Sequence, residues 1–188
     1  MSKFFAAALR PGVWKEEQEG VIRMPEDDHE IFTMYAECLY TGICRTKFIE
    51  AEIEEGPRSL SFELAEDTEW LLLAKAYVFG DKIQDPIFKV RSIDLLASRL
   101  AKSCALPSDV LITFVYKSTA SNSPLRRLIC DVFVYEAPPG AEELDDPQEL
   151  EFFRDLAKFS RIAFQKLQFE KDMGIPYMTN TCLYHGHD

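Results

Sequence analysis

At Asp85-Pro86 and at Ser123-Pro124 an oxygen-bearing side chain stands directly before a proline and is followed by apolar residues at helical spacing. The oxygen can accept a hydrogen bond from a free N–H of a first helical turn. The proline has no N–H to leave unsatisfied there, so each pair announces a helix start. Behind them Val90, Ile93, Ala97 and Leu100 mark one helical face. Leu125, Leu128, Ile129, Val132 and Phe133 mark another, with Arg126 and Arg127 off the stripe and expected to be solvated. Pro107-Ser108-Asp109 announces a helix carrying Val110, Leu111, Phe114 and Val115. Trp70, Leu73, Ala74 and Tyr77 share a face of one that Gly80 closes. So many helix starts in so short a span restrict the chain to a mainly helical fold.

The first half is more mixed. Ile22-Arg23-Met24-Pro25-Glu26-Asp27-Asp28-His29-Glu30-Ile31-Phe32, followed by Leu39-Tyr40-Thr41-Gly42, reads as a strand, a capped helix and a turn. Asp27 is the expected cap, with Glu30 reaching back to it. Ile31, Met34, Tyr35, Cys38 and Leu39 fall on one face, and Gly42 falls where a helix commonly ends in a left-handed residue. Residues 2 to 9 read as the end of a buried helix stopped by Pro11-Gly12, and Val21 to Met24 as a brief strand. Between 44 and 69 the alternation of Ile49, Ala51 and Ile53 with glutamates, and of Leu60, Phe62 and Leu64, gives a loop with weak strand character. Pro138-Pro139-Gly140 and Asp146-Pro147 make a linker of residues 137–147. A helical segment follows from Gln148 to about Lys171, and the tail from Met173 has no period and is expected to fray.

The chain has 188 residues and a hydrophobic fraction of 47%, enough for a real core. Lys and Arg number 21 against 32 Asp and Glu, a formal charge of -11 that repels a phosphate backbone and argues against nucleic acid as a partner. Acidic clusters such as Glu16-Glu17 and Glu50-Glu52-Glu54-Glu55 keep the surface solvated and could steer a basic partner. No apolar run approaches the roughly 18 residues that span a bilayer, so no membrane association is expected and the expected location is cytoplasmic or nuclear. Cys38, Cys44, Cys104, Cys130 and Cys182 are odd in number, form no CxxC pair and read as reduced thiols.

Catalysis would need a nucleophile, a base and an orienting group within reach, and only His29, His185 and His187 are histidines. No glycine-rich phosphate loop or GxSxG motif occurs, so the chain reads as a non-enzyme that needs no cofactor. Cys182, His185 and His187 carry the ligand chemistry of zinc, but three ligands in a tail do not close a tetrahedral site, and no metal is expected. A small hydrolase that uses this tail is the remote alternative.

The ordered set of Ser2-Lys3-Phe4-Phe5, the Pro25-Glu26-Asp27-Asp28 helix start, Leu39-Tyr40-Thr41-Gly42 and Ala76-Tyr77-Val78-Phe79-Gly80-Asp81-Lys82 resembles the BTB/POZ domain, most closely its fungal branch. The family consists of protein-interaction modules. The resemblance implies an α+β, mainly α fold: a partial BTB/POZ-like domain over residues 1–102 with a small sheet, a helical extension over 103–136, the linker, and a C-terminal helical segment and tail over 148–188. The strand, helix and further strands that open the family's domain before the helix matched by Ser2 to Leu9 are absent, so the chain reads as a truncated domain without its first third. Because those elements build the dimer face in many relatives, homodimerisation is left open. In relatives that recruit a cullin ubiquitin-ligase scaffold, an apolar residue, any residue and a glutamate occupy the loop after that helix. Trp14-Lys15-Glu16 falls there, which implies Trp14 and Glu16 as partner-binding residues of a substrate adaptor. The alternative is a BTB-like scaffold or transcription-linked protein with no ubiquitin role.

Overall fold

A computed structural model describes residues 2–12, 19–46, 60–103, 105–137, 150–169 and 174–186. The chain runs through α1 (Lys3–Ala8), α2 (His29–Thr41), α3 (Leu60–Lys82), α4 (Pro86–Leu100), α5 (Asp109–Ser118), α6 (Pro124–Glu136), α7 (Leu150–Phe169) and α8 (Pro176–Thr179), then a 3-10 turn (Thr181–Tyr184). Among the described residues no strand forms, which corrects the α+β expectation of a small sheet. Val21 to Met24 does alternate, with Ile22 and Met24 half-buried and Val21 and Arg23 exposed. No described segment pairs with it in a ladder, and four lone residues cannot satisfy their own backbone.

Each helix start has a local cause. Asp85 accepts from the Phe88 amide (3.2 Å), Ser108 from Leu111 (3.4 Å) and Ser123 from Leu125 (3.3 Å), as the sequence predicts. The cap of α2 is Asp28, which accepts from the Glu30 amide at 2.9 Å, and not Asp27. Asp27 instead takes both oxygens to the Lys82 ammonium at 2.8 Å, joining the start of α2 to the end of α3. Of residues 44 to 69, read as a loop with weak strand character, 60 to 69 belong to α3, and 47–59 lie outside the described residues. Three alternating apolar residues do not outweigh the helix formers Leu60, Glu63, Leu64, Ala65 and Glu66 among them.

Helix α3 also runs through Gly80 instead of ending there. The reason for glycine is space, because a Cβ at Gly80 would lie 2.9 Å from the backbone nitrogen of Lys89. The missing side chain lets α3 and α4 lie against each other as a hairpin turned at Ile83-Gln84-Asp85. Trp70, Leu73, Ala74 and Tyr77 of α3 and Phe88, Ile93, Leu96, Ala97 and Leu100 of α4 are buried in this interface and around it. The core continues without a break through α5 and α6 to Phe152 of α7 and to Tyr177 and Tyr184. On α5, Leu111 and Val115 are buried as expected, whereas Val110 is exposed.

The C-terminal segment departs most from expectation. Helix α7 is one piece over its whole length. The tail from Met173 does not fray over its described part: α8 and the 3-10 turn dock on α4 and α6. Tyr177 and Tyr184 enter the core, where their hydroxyls donate to Glu136 (2.8 Å) and Asp131 (2.7 Å). A short segment without period can still be held when its aromatic rings are buried and their hydroxyls are paired. Arg126 is also corrected, from solvated to 4% exposed. Its guanidinium donates to the Tyr116 carbonyl (2.8 Å), the Thr119 carbonyl (2.5 Å), the Thr119 hydroxyl (3.1 Å) and Glu151 (2.6 Å), and it sits 4.4 Å over the Tyr116 ring. It thereby satisfies carbonyls at the end of α5 that helix geometry leaves open.

Candidate functional site

The expected contact residues Trp14 and Glu16 lie outside the described residues, so the site is built from α1, α2 and the chain that leaves α2. Ser2 starts this region. Its buried hydroxyl donates to the Ile83 carbonyl at 2.5 Å and accepts from the Phe5 amide at 3.3 Å, capping α1 and fastening it to the α3–α4 turn at once. Phe5 then stacks on Tyr35 of α2, with ring centroids 5.9 Å apart, and Tyr35 meets Phe79 at 5.8 Å and Phe88 at 5.0 Å. A line of aromatic rings therefore runs from the surface into the core. At its inner end the Tyr35 hydroxyl donates to Asp85 (3.1 Å). Burial, followed by the negative charge of Asp85, pushes the Tyr35 phenol up to about 12, so it stays protonated and keeps donating.

The outer end is not covered. Helix α2 has two apolar faces. Ile31, Met34, Tyr35 and Cys38 are buried, as their spacing predicts. Leu39, assigned to that face from sequence, is 54% exposed. It belongs with Phe32, Tyr40 and Ile43, all exposed, and Tyr40 reaches 92%. On a helix of 3.6 residues per turn, Phe32, Ala36, Leu39 and Tyr40 recur at i, i+4, i+7 and i+8, which is a second stripe. That periodicity was available in the sequence. It could not reveal that α1 reaches the stripe at Phe32, through Phe5 (ring centroids 6.3 Å apart), and leaves Leu39 and Tyr40 exposed. Phe4 of α1 and Leu9, which follows its last turn, add to the exposed apolar surface of this end.

Three bonds secure the chain leaving α2. Gly42 takes the left-handed conformation (φ 74°) and its amide donates to the Cys38 carbonyl at 3.0 Å, closing the helix. Beyond it Cys44 is disulfide-bonded to Cys38, with Cα atoms 4.6 Å apart. This corrects the expectation of reduced thiols throughout. The glycine turn reverses the chain and brings together two cysteines that no CxxC spacing announces. Thr46 then donates its hydroxyl to the buried carboxylate of Glu69, which Arg99 faces at 3.1 Å. Residues 39 to 43 thus form a short apolar knob whose two ends are held.

Around the start of α2 lies an open cleft of about 540 Å³ lined by Pro25, Asp27, Asp28, Lys75, Lys82 and Phe114 among others. Lys82 pairs with Asp27 (2.8 Å) and Lys75 with Asp28 (3.6 Å), so both lysines of the cleft face carboxylates, and Glu26 adds a further negative charge to its lining. Elsewhere, Cys130 is fully buried and its thiol is pushed up to about 12, first by burial, so it is unreactive. In the tail, His185 pairs with Asp94 at 2.7 Å, Cys182 is exposed, and His187 lies outside the described residues. Among the described residues no group of three His, Cys, Asp or Glu is placed to hold a metal ion, and no helix is long and apolar enough to cross a membrane.

The chain matches no protein-family model, no curated protein and no solved structure.

Proposed function

We propose that this chain is a protein-interaction module whose contact surface is the exposed apolar end formed by α2 and its exit. The observation that carries the reading is Tyr40, a large aromatic side chain 92% exposed and flanked by exposed Leu39 and Ile43 on a segment fixed at both ends. A single exposed apolar residue is ordinary. A cluster held in one conformation lowers the ordering cost of association and supplies the aromatic anchor that interface cores favour. The exposed Glu26 and Glu37 on the same helix and its approach, within a chain of charge -11, suit a partner with an apolar centre and a basic rim.

The narrower form of this reading is a substrate adaptor for a cullin-type ubiquitin ligase. It draws on the BTB/POZ resemblance and on Trp14 and Glu16. Calorimetric titration with the N-terminal domain of the BTB-binding cullin tests it. Saturable binding that weakens tenfold or more, on the order of 1.4 kcal/mol, in Tyr40→Ala or Trp14→Ala supports the adaptor. Binding that neither substitution changes removes the assigned surface. A folded chain that does not bind leaves the broader module and overturns the ubiquitin connection.

A further inference from the structure

We infer that Cys38 and Cys44 are a reversible thiol–disulfide site that sets how firmly the Leu39–Ile43 knob is held. The consequence for binding rests on the interaction reading above, whereas the chemistry of the pair does not. Three observations place the chemistry here. The Cα atoms are 4.6 Å apart, inside the range a disulfide spans without moving the backbone. The two sulfurs differ in access, Cys38 being buried in the last turn of α2 and Cys44 half-buried beyond the glycine turn. Arg91 of α4 points its guanidinium Nη1 at the Cys38 sulfur, 3.5 Å away. A neighbouring cation lowers the cost of a thiolate, and a thiolate is both the leaving group when a disulfide is reduced and the nucleophile when it forms.

The step balances with a dithiol of the thioredoxin class as reductant. Its thiolate attacks the more accessible Cys44 sulfur, the Cys38–Cys44 bond breaks, and Cys38 leaves as a thiolate facing Arg91. The second thiol of the reductant then displaces Cys44. Two electrons pass to the protein, which takes up the two protons released as the reductant becomes a disulfide. In the reverse direction glutathione disulfide first caps Cys44. The Cys38 thiolate then attacks the Cys44 sulfur and expels glutathione. Neither other described cysteine can do this: Cys130 is buried and held as a thiol, and Cys182 has no described cysteine beside it.

The knob sits inside the ring that this bond closes. In the disulfide form residues 39 to 43 are bounded by the bridge, by the Gly42 to Cys38 hydrogen bond and, further on, by Thr46 at Glu69. On reduction only the hydrogen bonds remain, so the knob frees while the rest of the fold stays.

Alkylation mass spectrometry across a series of glutathione buffers tests the site on the whole chain. The expected result is that Cys38 and Cys44 lose and regain alkylation together, as a peptide cross-linked to itself, while Cys130 does not respond. In Arg91→Met the midpoint should move about three- to tenfold toward reduced glutathione, because the thiolate form loses its cation, and Arg91→Lys should restore most of it. Hydrogen exchange at residues 39 to 45 should quicken in the reduced chain. Independent alkylation of both cysteines at every ratio, a stable glutathione adduct on Cys44 that never closes, or exchange unchanged by reduction would each overturn the inference. Since none of these readouts needs a partner, a pair that titrates in a chain whose Tyr40→Ala variant binds unchanged would sink the interaction reading alone.

Discussion

The two ends of this molecule differ in emphasis, although each has buried polar pairs and exposed apolar residues. At the C-terminal end, polar groups are taken inside: Arg126, Asp131 and the hydroxyls of Tyr177 and Tyr184 are buried, and each has a partner. At the α1–α2 end, apolar groups are left outside, with Phe32, Leu39 and Tyr40 exposed on one stripe of α2 and Ile43 exposed just beyond its end. Buried polar pairs add little net stability but penalise every alternative packing that would leave them unpaired. An exposed apolar stripe adds nothing to the isolated fold and gains only when something covers it. The contrast separates an end whose buried polar pairs fix its packing from the end that we propose meets a partner.

The largest expected effect breaks the buried end by pH. The phenols of Tyr35, Tyr116, Tyr177 and Tyr184 are all raised above their ordinary value, in each case first by burial and next by neighbours such as Asp85, Cys130, Glu136 and Asp131. The unfolded chain releases these protons near pH 10 and the folded chain holds them. Their contribution is therefore intact below about pH 10 and lost as the pH rises through and beyond the value of about 12 for Tyr35. Phenolate absorbance followed together with far-ultraviolet circular dichroism should show these residues ionising only as the helices are lost. Full ionisation of all tyrosines with helix intact would contradict the burial described here.

Arg126→Met comes next. It leaves the Tyr116 and Thr119 carbonyls without their donor, at a cost of about 3 kcal/mol and a melting temperature lower by roughly 6–12 °C. A change below about 1 kcal/mol would mean that the arginine is as replaceable as a surface one.

Tyr184→Phe keeps the ring but removes the donor to Asp131, which is 6% exposed and still faces Arg127 at 3.6 Å. About 1–2 kcal/mol is expected. Limited proteolysis should then cut the tail ahead of any other site, and uniform resistance would mean that packing alone holds it.

The smallest effect sharpens the other side of the comparison. Tyr40→Ser should change thermal stability by less than about 0.5 kcal/mol, since so exposed a ring has little to lose on folding. A large loss in that variant would show Tyr40 to be structural and would remove it as a binding residue.

How much of this could be read from the residues follows from the range of each interaction. Caps at Asp85, Ser108 and Ser123, the left-handed end at Gly42 and the buried faces of α4 and α6 all involve partners within one or two turns. The order of residues therefore determined them, and with them the mainly helical character. The choice of Asp28 over Asp27 as cap was ambiguous locally, and Lys82, 55 residues away, engages the other aspartate. Alternation at Val21 to Met24 determined which side chains turn inward but could not supply a neighbouring strand. Arg126 looked solvated because its own helix gives it no partner; the end of α5 and Glu151 do. The tail has no period, so its place was decided by the core that buries Tyr177 and Tyr184 and by the carboxylates of α4 and α6 that receive it. For Leu39 and Tyr40, sequence determined a helix with apolar residues on two sides. Which side meets the core depends on where α1, α3 and α4 lie, and that is a property of the packed molecule alone.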